Sequence, residues 1–239
     1  MLLCPCSGRL RQWRLVRVSP MRETARTDWK EDGNGSALRV PRPLRPMLYV
    51  VRHGETPPNA AGLLLGRSDP RLTERGRTQA AGLAATLPMP DRVVSSPLRR
   101  ARETAAAFGR AVEVDDRWIE LDYGTLEGTD PASVPIEVWA RWRANPDYAP
   151  GGGEPLSALG VRVRAACEEL TAAADLRAGR TVVVVTHVSP IKAAIAWALG
   201  VEDRVAWRLW VEDAGVTRIG VDRHGPVLRS FNEQSPSAL

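Results

Sequence analysis

Apolar and polar positions along this chain alternate between two periods, and they predict strands followed by helices. Leu48-Tyr-Val-Val51 is a short unbroken apolar run, the mark of a strand covered on both faces. It stops at Arg52-His53-Gly54, where Gly54 permits a tight turn or a close backbone approach. Residues 57–71 read as a loop. A helix follows from about Thr73, with small or apolar residues at Ala80, Leu83, Ala84 and Leu87, and Pro88 and Pro90 end it. Arg92-Val-Val-Ser95 is a second short strand. Ser96-Pro97 then predicts a helix start, with Ser at the N-cap and Pro at the first helical position. Val112-Glu-Val114 reads as a strand, residues 116–128 as a loop, and residues 136–143 as a short Trp-bearing helix. Residues 156–176 carry Leu159, Val163, Ala166, Leu170 and Ala173 at helical spacing. Thr181-Val-Val-Val-Val185 is the clearest buried strand and ends at Thr186-His187. Ser189-Pro190 repeats the helix-start signal and opens a helix to about Leu199. Beyond it the pattern predicts strands at 206–211, 216–221 and 227–231, with turns at 213–215 and 223–225. Strands alternating with helices imply a three-layer α/β/α sandwich around a mostly parallel sheet.

Composition narrows the partners. At 239 residues with 44% hydrophobic content, the chain can bury an ordinary core, and no apolar run is long enough to span a membrane. The net charge of +5 is confined to one end. Residues 1–46 hold ten Lys/Arg against four Asp/Glu, while the remainder holds 23 against 24. The main part therefore offers no basic surface for a nucleic-acid backbone. Residues 1–46 lack periodicity, carry Pro41, Pro43 and Pro46, and include the polar stretch Glu31-Asp-Gly-Asn-Gly-Ser36. They read as a disordered basic extension, with two readings open: an arm with a role in binding or, the favoured one, a stretch upstream of a true start at Met47. A catalytic domain is expected over 47–239. No signal peptide pattern fits, which makes a cytoplasmic protein the expectation. Cys4, Cys6 and Cys167 are too few for a disulfide framework.

Three strand ends share one kind of chemistry. The first delivers Arg52 and His53, the second Ser95-Ser96 and then Arg100, and the last core strand His187. In a parallel sheet these ends lie on one edge, where such folds bind ligands. Two arginines, two histidines and helix N-termini suit a dianion such as phosphate. An imidazole beside two guanidiniums is held neutral by like charge, and its lone pair is then a nucleophile near neutral pH. A carboxylic acid near the bound dianion would supply the leaving group's proton. Glu55, Glu120, Asp122 and Glu127 are the candidates.

Five ordered motifs carry a resemblance. They are Arg52-His53-Gly54-Glu55-Thr56 with Asn59, Leu72-Thr73-Glu-Arg-Gly76, Ser95-Ser96-Pro97-Leu98-x-Arg100-Ala101, Glu120-Leu-Asp-Tyr-Gly124-x-x-Glu127-Gly128 with Gly152-Gly153-Glu154, and Thr186-His187. The chain resembles the histidine phosphatase superfamily, the phosphoglycerate mutase-like group. The resemblance implies a phosphohistidine at His53, a phosphate pocket of Arg52, Arg100 and His187 with Asn59 as a further contact, and Glu120 as proton donor. It implies hydrolysis of a small phosphomonoester with no metal or organic cofactor. Three departures stand out. Pro58 replaces the usual aromatic before Asn59. Val188-Ser189-Pro190-Ile191-Lys192 follows the second histidine, similar to α-ribazole phosphatases, and Lys192 reads as a surface helix lysine, with a position facing substrate as the alternative. Only about 25 residues separate Gly128 from Glu154, which favours an open hydrolytic site over a mutase. A phosphoglycerate mutase is the nearest alternative, then a non-catalytic phosphate-binding module. A metal hydrolase is disfavoured because the arginines would repel a cation.

Overall fold

The computed structural model describes residues 29–31, 37–39, 47–172 and 179–234. The chain divides into two units, Met1–Pro43 and Leu44–Leu239. In the first, β1 (Trp29–Glu31) pairs antiparallel with β2 (Ala37–Arg39). The rest of the expected basic extension lies outside the described residues.

The second unit is built on six strands. These are β3 (Met47–Arg52), β4 (Arg92–Ser95), β5 (Val112–Val114), β6 (Thr181–Thr186), β7 (Val216–Asp222) and β8 (Gly225–Glu233). Their order is β5-β4-β6-β3-β7-β8. The first four run parallel, β7 is antiparallel to β3, and β8 is antiparallel to β7. The apolar runs occupy the centre because only a strand covered on both faces can be apolar at every position. In β3, Leu48 and Val50 join one core cluster while Tyr49 and Val51 join another. In β6, Val182 and Val184 alternate in the same way with Val183 and Val185.

Helices cover both faces. α1 (Pro57–Ala60) is a single turn. α2 (Glu74–Thr86) and α3 (Arg99–Ala106) put Leu83, Ala101 and Ala105 into the second cluster. α4 (Ile136–Ala144), α5 (Leu156–Ala172) and α6 (Val188–Leu199) lie on the other side. There Leu159 and Val163 of α5 meet Ile191 and Ile195 of α6, all four fully buried. Each such side chain contributes about 1.5–3 kcal/mol of transfer free energy. The layering is the α/β/α sandwich that the pattern predicts. The predicted end of α5 falls at residues 173–178, outside the described residues.

Three local readings need correction. α3 starts at Arg99, not at Pro97. Ser96 does not cap it from the side; its Oγ accepts from Leu98 N at 3.3 Å and meets His187 at 2.7 Å. α6 starts at Val188, so Ser189 and Pro190 sit inside its first turn, where a missing N–H costs nothing. Residues 206–211 are not a strand. Asp203–Arg208 is a 3-10 helix, because both edges of β7 are already paired and Trp207 packs on Trp139 and Trp142 instead.

Candidate active site

Register alone brings the two histidines together. Arg52 lies opposite Thr186 across the parallel β3–β6 ladder, so His53 and His187 follow side by side. Neighbouring strands are about 4.8 Å apart, and the two imidazole centroids are 5.0 Å apart at 61°. Ser95 lies opposite Val185, which places Ser96 on the other flank of His187. Its Oγ stands 2.7 Å from His187 Nε2. Oγ also accepts from Leu98 N and still has a proton to give and a lone pair to share with Nε2. His187 Nδ1 has no hydrogen-bond partner among the described residues.

His53 is held by its own backbone neighbourhood. Its Nδ1 is 2.7 Å from the Gly54 carbonyl, and a carbonyl can only accept, so Nδ1 carries the proton. Nε2 keeps its lone pair and accepts from Arg100 Nε at 3.1 Å. Gly54 N donates to Thr104 Oγ1 at 3.0 Å, and Thr104 Oγ1 donates to Arg100 O at 2.8 Å. A Cβ on Gly54 would come within 2.3 Å of Gly76 O. Close backbone approach, not a special turn, is why glycine stands there. Burial first, then Arg100 and Arg52, hold the His53 pKa well below 6.5. Burial and the same arginines, with His53 between them in weight, do the same to His187.

Arg100 is fully buried, and burial pushes its pKa down to about 10. It remains a cation at neutral pH. Its NH1 donates to Ser68 O at 2.5 Å and NH2 to Gly66 O at 2.7 Å. That loop is itself clamped: the Glu127 carboxylate accepts from the amides of Gly66, Arg67 and Ser68 at 2.9–3.3 Å. Arg52 donates NH1 to Val211 O and pairs through NH2 with Asp213, both at 2.8 Å. Asn59 Oδ1 accepts from Thr56 N and Thr56 Oγ1. The amide nitrogen of Asn59 is thereby left for the cavity it lines. Thr56 and Asn59 close the one-turn α1 despite Pro58.

The four candidate carboxylates separate cleanly. Glu55 is tied to Thr73 Oγ1 and Arg75 at 2.8 and 2.7 Å, and these partners lower its pKa against burial. Asp122 accepts from Gly124 N at 2.8 Å, and Glu127 holds the loop. Only Glu120 is buried in the cavity wall with His53, Arg52 and Asn59. It accepts from Leu121 N at 2.7 Å and Ser189 N at 3.2 Å. Burial raises its pKa above 4.5, against those N–H donors and the Arg100 charge. The cavity holds about 310 Å³. Among the described residues no three His, Cys, Asp or Glu side chains form a possible metal site, and no helix is long and apolar enough to cross a membrane.

The sequence reading missed several neighbours. Tyr123, which was not singled out, lines this cavity. For Lys192 the less favoured of its two expected positions is the one found: it is half-buried and lines the same cavity. Its place on the first turn of α6, four residues after Val188, was the available signal. Asp213 was assigned only to a turn, because nothing local marks it as the partner of Arg52.

Comparisons with known proteins give the family. The profile described as the histidine phosphatase superfamily (branch 1) matches residues 48–234. A bifunctional protein of Mycobacterium tuberculosis is 37% identical over 162 residues, covering 64% of this chain but 44% of its own length. The chain thus spans under half of that relative. Phosphoserine phosphatase 1 of Hydrogenobacter thermophilus is 37% identical over 165 residues, covering 65% of this chain and 77% of its own. The α-ribazole phosphatase of Shigella flexneri superposes with a TM-score of 0.67 at 25% identity, covering 78% of this chain and 96% of its own. With fold, strand-end residues and profile in agreement, the chain belongs to the histidine phosphatase superfamily, branch 1.

Proposed function

We propose that the protein is a metal-independent phosphomonoesterase that passes the phosphoryl group of a small phosphorylated metabolite through His53 to water. One observation carries the reading. His53 Nδ1 is committed to the Gly54 carbonyl, which leaves Nε2 as the nitrogen able to attack once the phosphate takes over its donor, Arg100 Nε, and His53 shares a cavity with Arg52 and Glu120. In this reading His53 Nε2 attacks phosphorus and the ester P–O bond breaks. Arg52, Arg100 and the Nδ1–H of His187 hold the equatorial oxygens, where charge is spread in the transition state. Asn59 adds an amide donor. Glu120, whose pKa burial raises, is the carboxyl placed to give a proton to the departing alkoxide. The resulting carboxylate then takes a proton from water, which attacks the phosphohistidine and releases phosphate. Two of the relatives above are named phosphatases and another, 36% identical, a probable phosphoglycerate mutase. The choice of water as acceptor therefore rests on the short segment between Gly128 and Glu154.

The test is His53→Ala with rapid quench of radiolabelled substrate. The parent protein is expected to give an acid-labile, base-stable phosphoenzyme, and the folded variant neither phosphoenzyme nor turnover. Phosphate release by folded His53→Ala at near parental rate refutes the reading.

A further inference from the structure

Glu120 has no regular element to place it. It lies between the 3-10 turns Asp116–Trp118 and Gly124–Leu126, so neither a helix nor a strand ladder sets where its carboxyl points. Two side chains from distant elements hold the stretch by its backbone instead. Thr186 Oγ1, at the end of β6, donates to Trp118 O at 2.6 Å. Arg162, in the second turn of α5, donates NH1 to Arg117 O at 2.6 Å and NH2 to Glu120 O at 3.4 Å. The guanidinium is itself fixed. Its Nε and NH2 meet the two oxygens of Glu154 at 2.7 and 2.8 Å, with the two side chains 18% and 13% exposed. A planar fork paired in this way has one orientation. Glu154 is anchored in turn, because its N donates to Asp122 O at 2.9 Å. A Cβ on Gly153 would come within 2.0 Å of that same oxygen, so the two loops meet backbone to backbone. Stability alone does not call for ionic groups here, since apolar replacements of buried ion pairs are often neutral or better. What a five-donor fork adds is reach: one carboxylate and two carbonyls at fixed angles. Glu120 depends on those angles. Its carboxylate must keep Leu121 N at 2.7 Å and Ser189 N at 3.2 Å while facing the cavity.

We infer that Arg162, locked by Glu154, is a positioning residue for proton transfer: by holding the carbonyls of Arg117 and Glu120 it aims the Glu120 carboxyl at the leaving oxygen. This rests on the phosphatase reading above, in which Glu120 protonates the departing alkoxide. Arg162 is not among the residues that line the cavity, and it acts only through Glu120. A displacement of about 1 Å at a reacting group, caused from a distance, can cost on the order of a hundredfold in rate.

The test measures kcat/KM for ethyl phosphate and p-nitrophenyl phosphate in the parent, Arg162→Lys, Glu154→Gln, Arg117→Lys and Glu120→Gln. Lysine at 162 keeps the charge opposite Glu154, but one ammonium cannot span a carboxylate and two carbonyls. Arg162→Lys is expected to slow ethyl phosphate by roughly ten- to a hundredfold. It is expected to slow p-nitrophenyl phosphate by less than about threefold, because a nitrophenolate leaves without a proton. Added to Glu120→Gln, it is expected to bring no further selective slowing, since the proton it positions is already gone. Glu154→Gln keeps one acceptor oxygen and turns the other into a donor facing the guanidinium. It is expected to shift the ratio of the two esters the same way by a smaller factor, and it decides the matter should Arg162→Lys not fold. Arg117→Lys disturbs the pairs with Asp115 and Glu169 but leaves the carbonyl in place, so the ratio is expected to stay parental. Where Glu120→Gln is selective, equal slowing of both esters by folded Arg162→Lys, or an unchanged ratio, overturns the inference and leaves the phosphatase reading standing. A ratio shifted as far by Arg117→Lys overturns it too. Equal slowing of both esters by Glu120→Gln overturns the assignment of the acid, and this inference with it.

Discussion

At the scale of single residues, burial shifts two groups of the candidate site toward the less charged of their two states. His53 stays neutral because burial and two guanidiniums oppose a second proton. Its imidazole 15N shifts are therefore expected to remain those of the neutral Nδ1–H tautomer as pH falls through 6.5, with assignment by loss of the signals in His53→Ala. An imidazolium pattern at pH 6.5 contradicts this. The unfolded chain takes up these protons near 6.5 and the folded one does not, so acidification below 6.5 costs stability. Glu120 has the opposite sign. Its raised pKa means that its stabilising share is present below 4.5 and is lost as pH rises through the folded value. Glu120→Gln does not titrate and still accepts from Leu121 N, so it is expected to melt higher than the parent at alkaline pH. The same change is expected to slow alkyl phosphates by roughly 10²–10⁴-fold and p-nitrophenyl phosphate far less, since a nitrophenolate leaves without a proton. Equal slowing of both esters would make Glu120 a shaper of the pocket.

At the scale of elements, the site depends on how closely backbones approach behind it. Gly54 and Gly76 both stand where backbone leaves no room for a side chain. A Cβ at Gly54 meets Gly76 O at 2.3 Å, and a Cβ at Gly76 meets Glu55 O at 2.1 Å. Neither neighbour is a flexible side-chain tip. Either glycine to alanine is expected to lower stability by at least about 1–3 kcal/mol, the usual range for forced overpacking, read as a shift of the urea midpoint at constant m. The N-terminus of α2 is tied to the same place, through Thr73 Oγ1 to Glu55. Glu127 acts at one remove by holding the loop whose carbonyls fix Arg100. Glu127→Gln is expected to weaken every ester alike, without the leaving-group dependence of Glu120→Gln.

At the scale of the molecule, positive charge in the cavity comes from the chain itself. Arg52, Arg100 and Lys192 bring it to one sheet edge. Activity is expected to survive exhaustive EDTA treatment, with vanadate as an inhibitor that mimics the phosphoryl group in transfer. Loss on chelation, restored by zinc or manganese, would point to a metal enzyme. The family profile begins at residue 48, and the division into units falls at Pro43. A chain starting at Met47 is expected to keep the melting temperature and the kcat/KM of the whole. A drop of several degrees would mean that residues 1–46 belong to the fold.

What the chain determines by itself is local in nature. Unbroken Val and Leu runs mark β3 and β6 because a doubly covered strand has no polar face, and the polar residues that end those runs mark the sheet edge. His53, His187, Arg52 and Arg100 were legible for that reason, each lying at a strand end or one turn beyond it. Glu120 and Asn59 needed the motif resemblance, since loop residues have no period to place them. Tertiary structure decided the rest. The helix start at Ser96 was lost to a hydrogen bond with His187, 91 residues away. The alternation at 206–211 became a 3-10 turn because β7 had no free edge and Trp207 had aromatic partners on α4. Lys192 was turned from a surface helix position into the cavity by the packing of α6. Such contacts join residues far apart in the chain, and their energies appear only when the sheet brings those residues together.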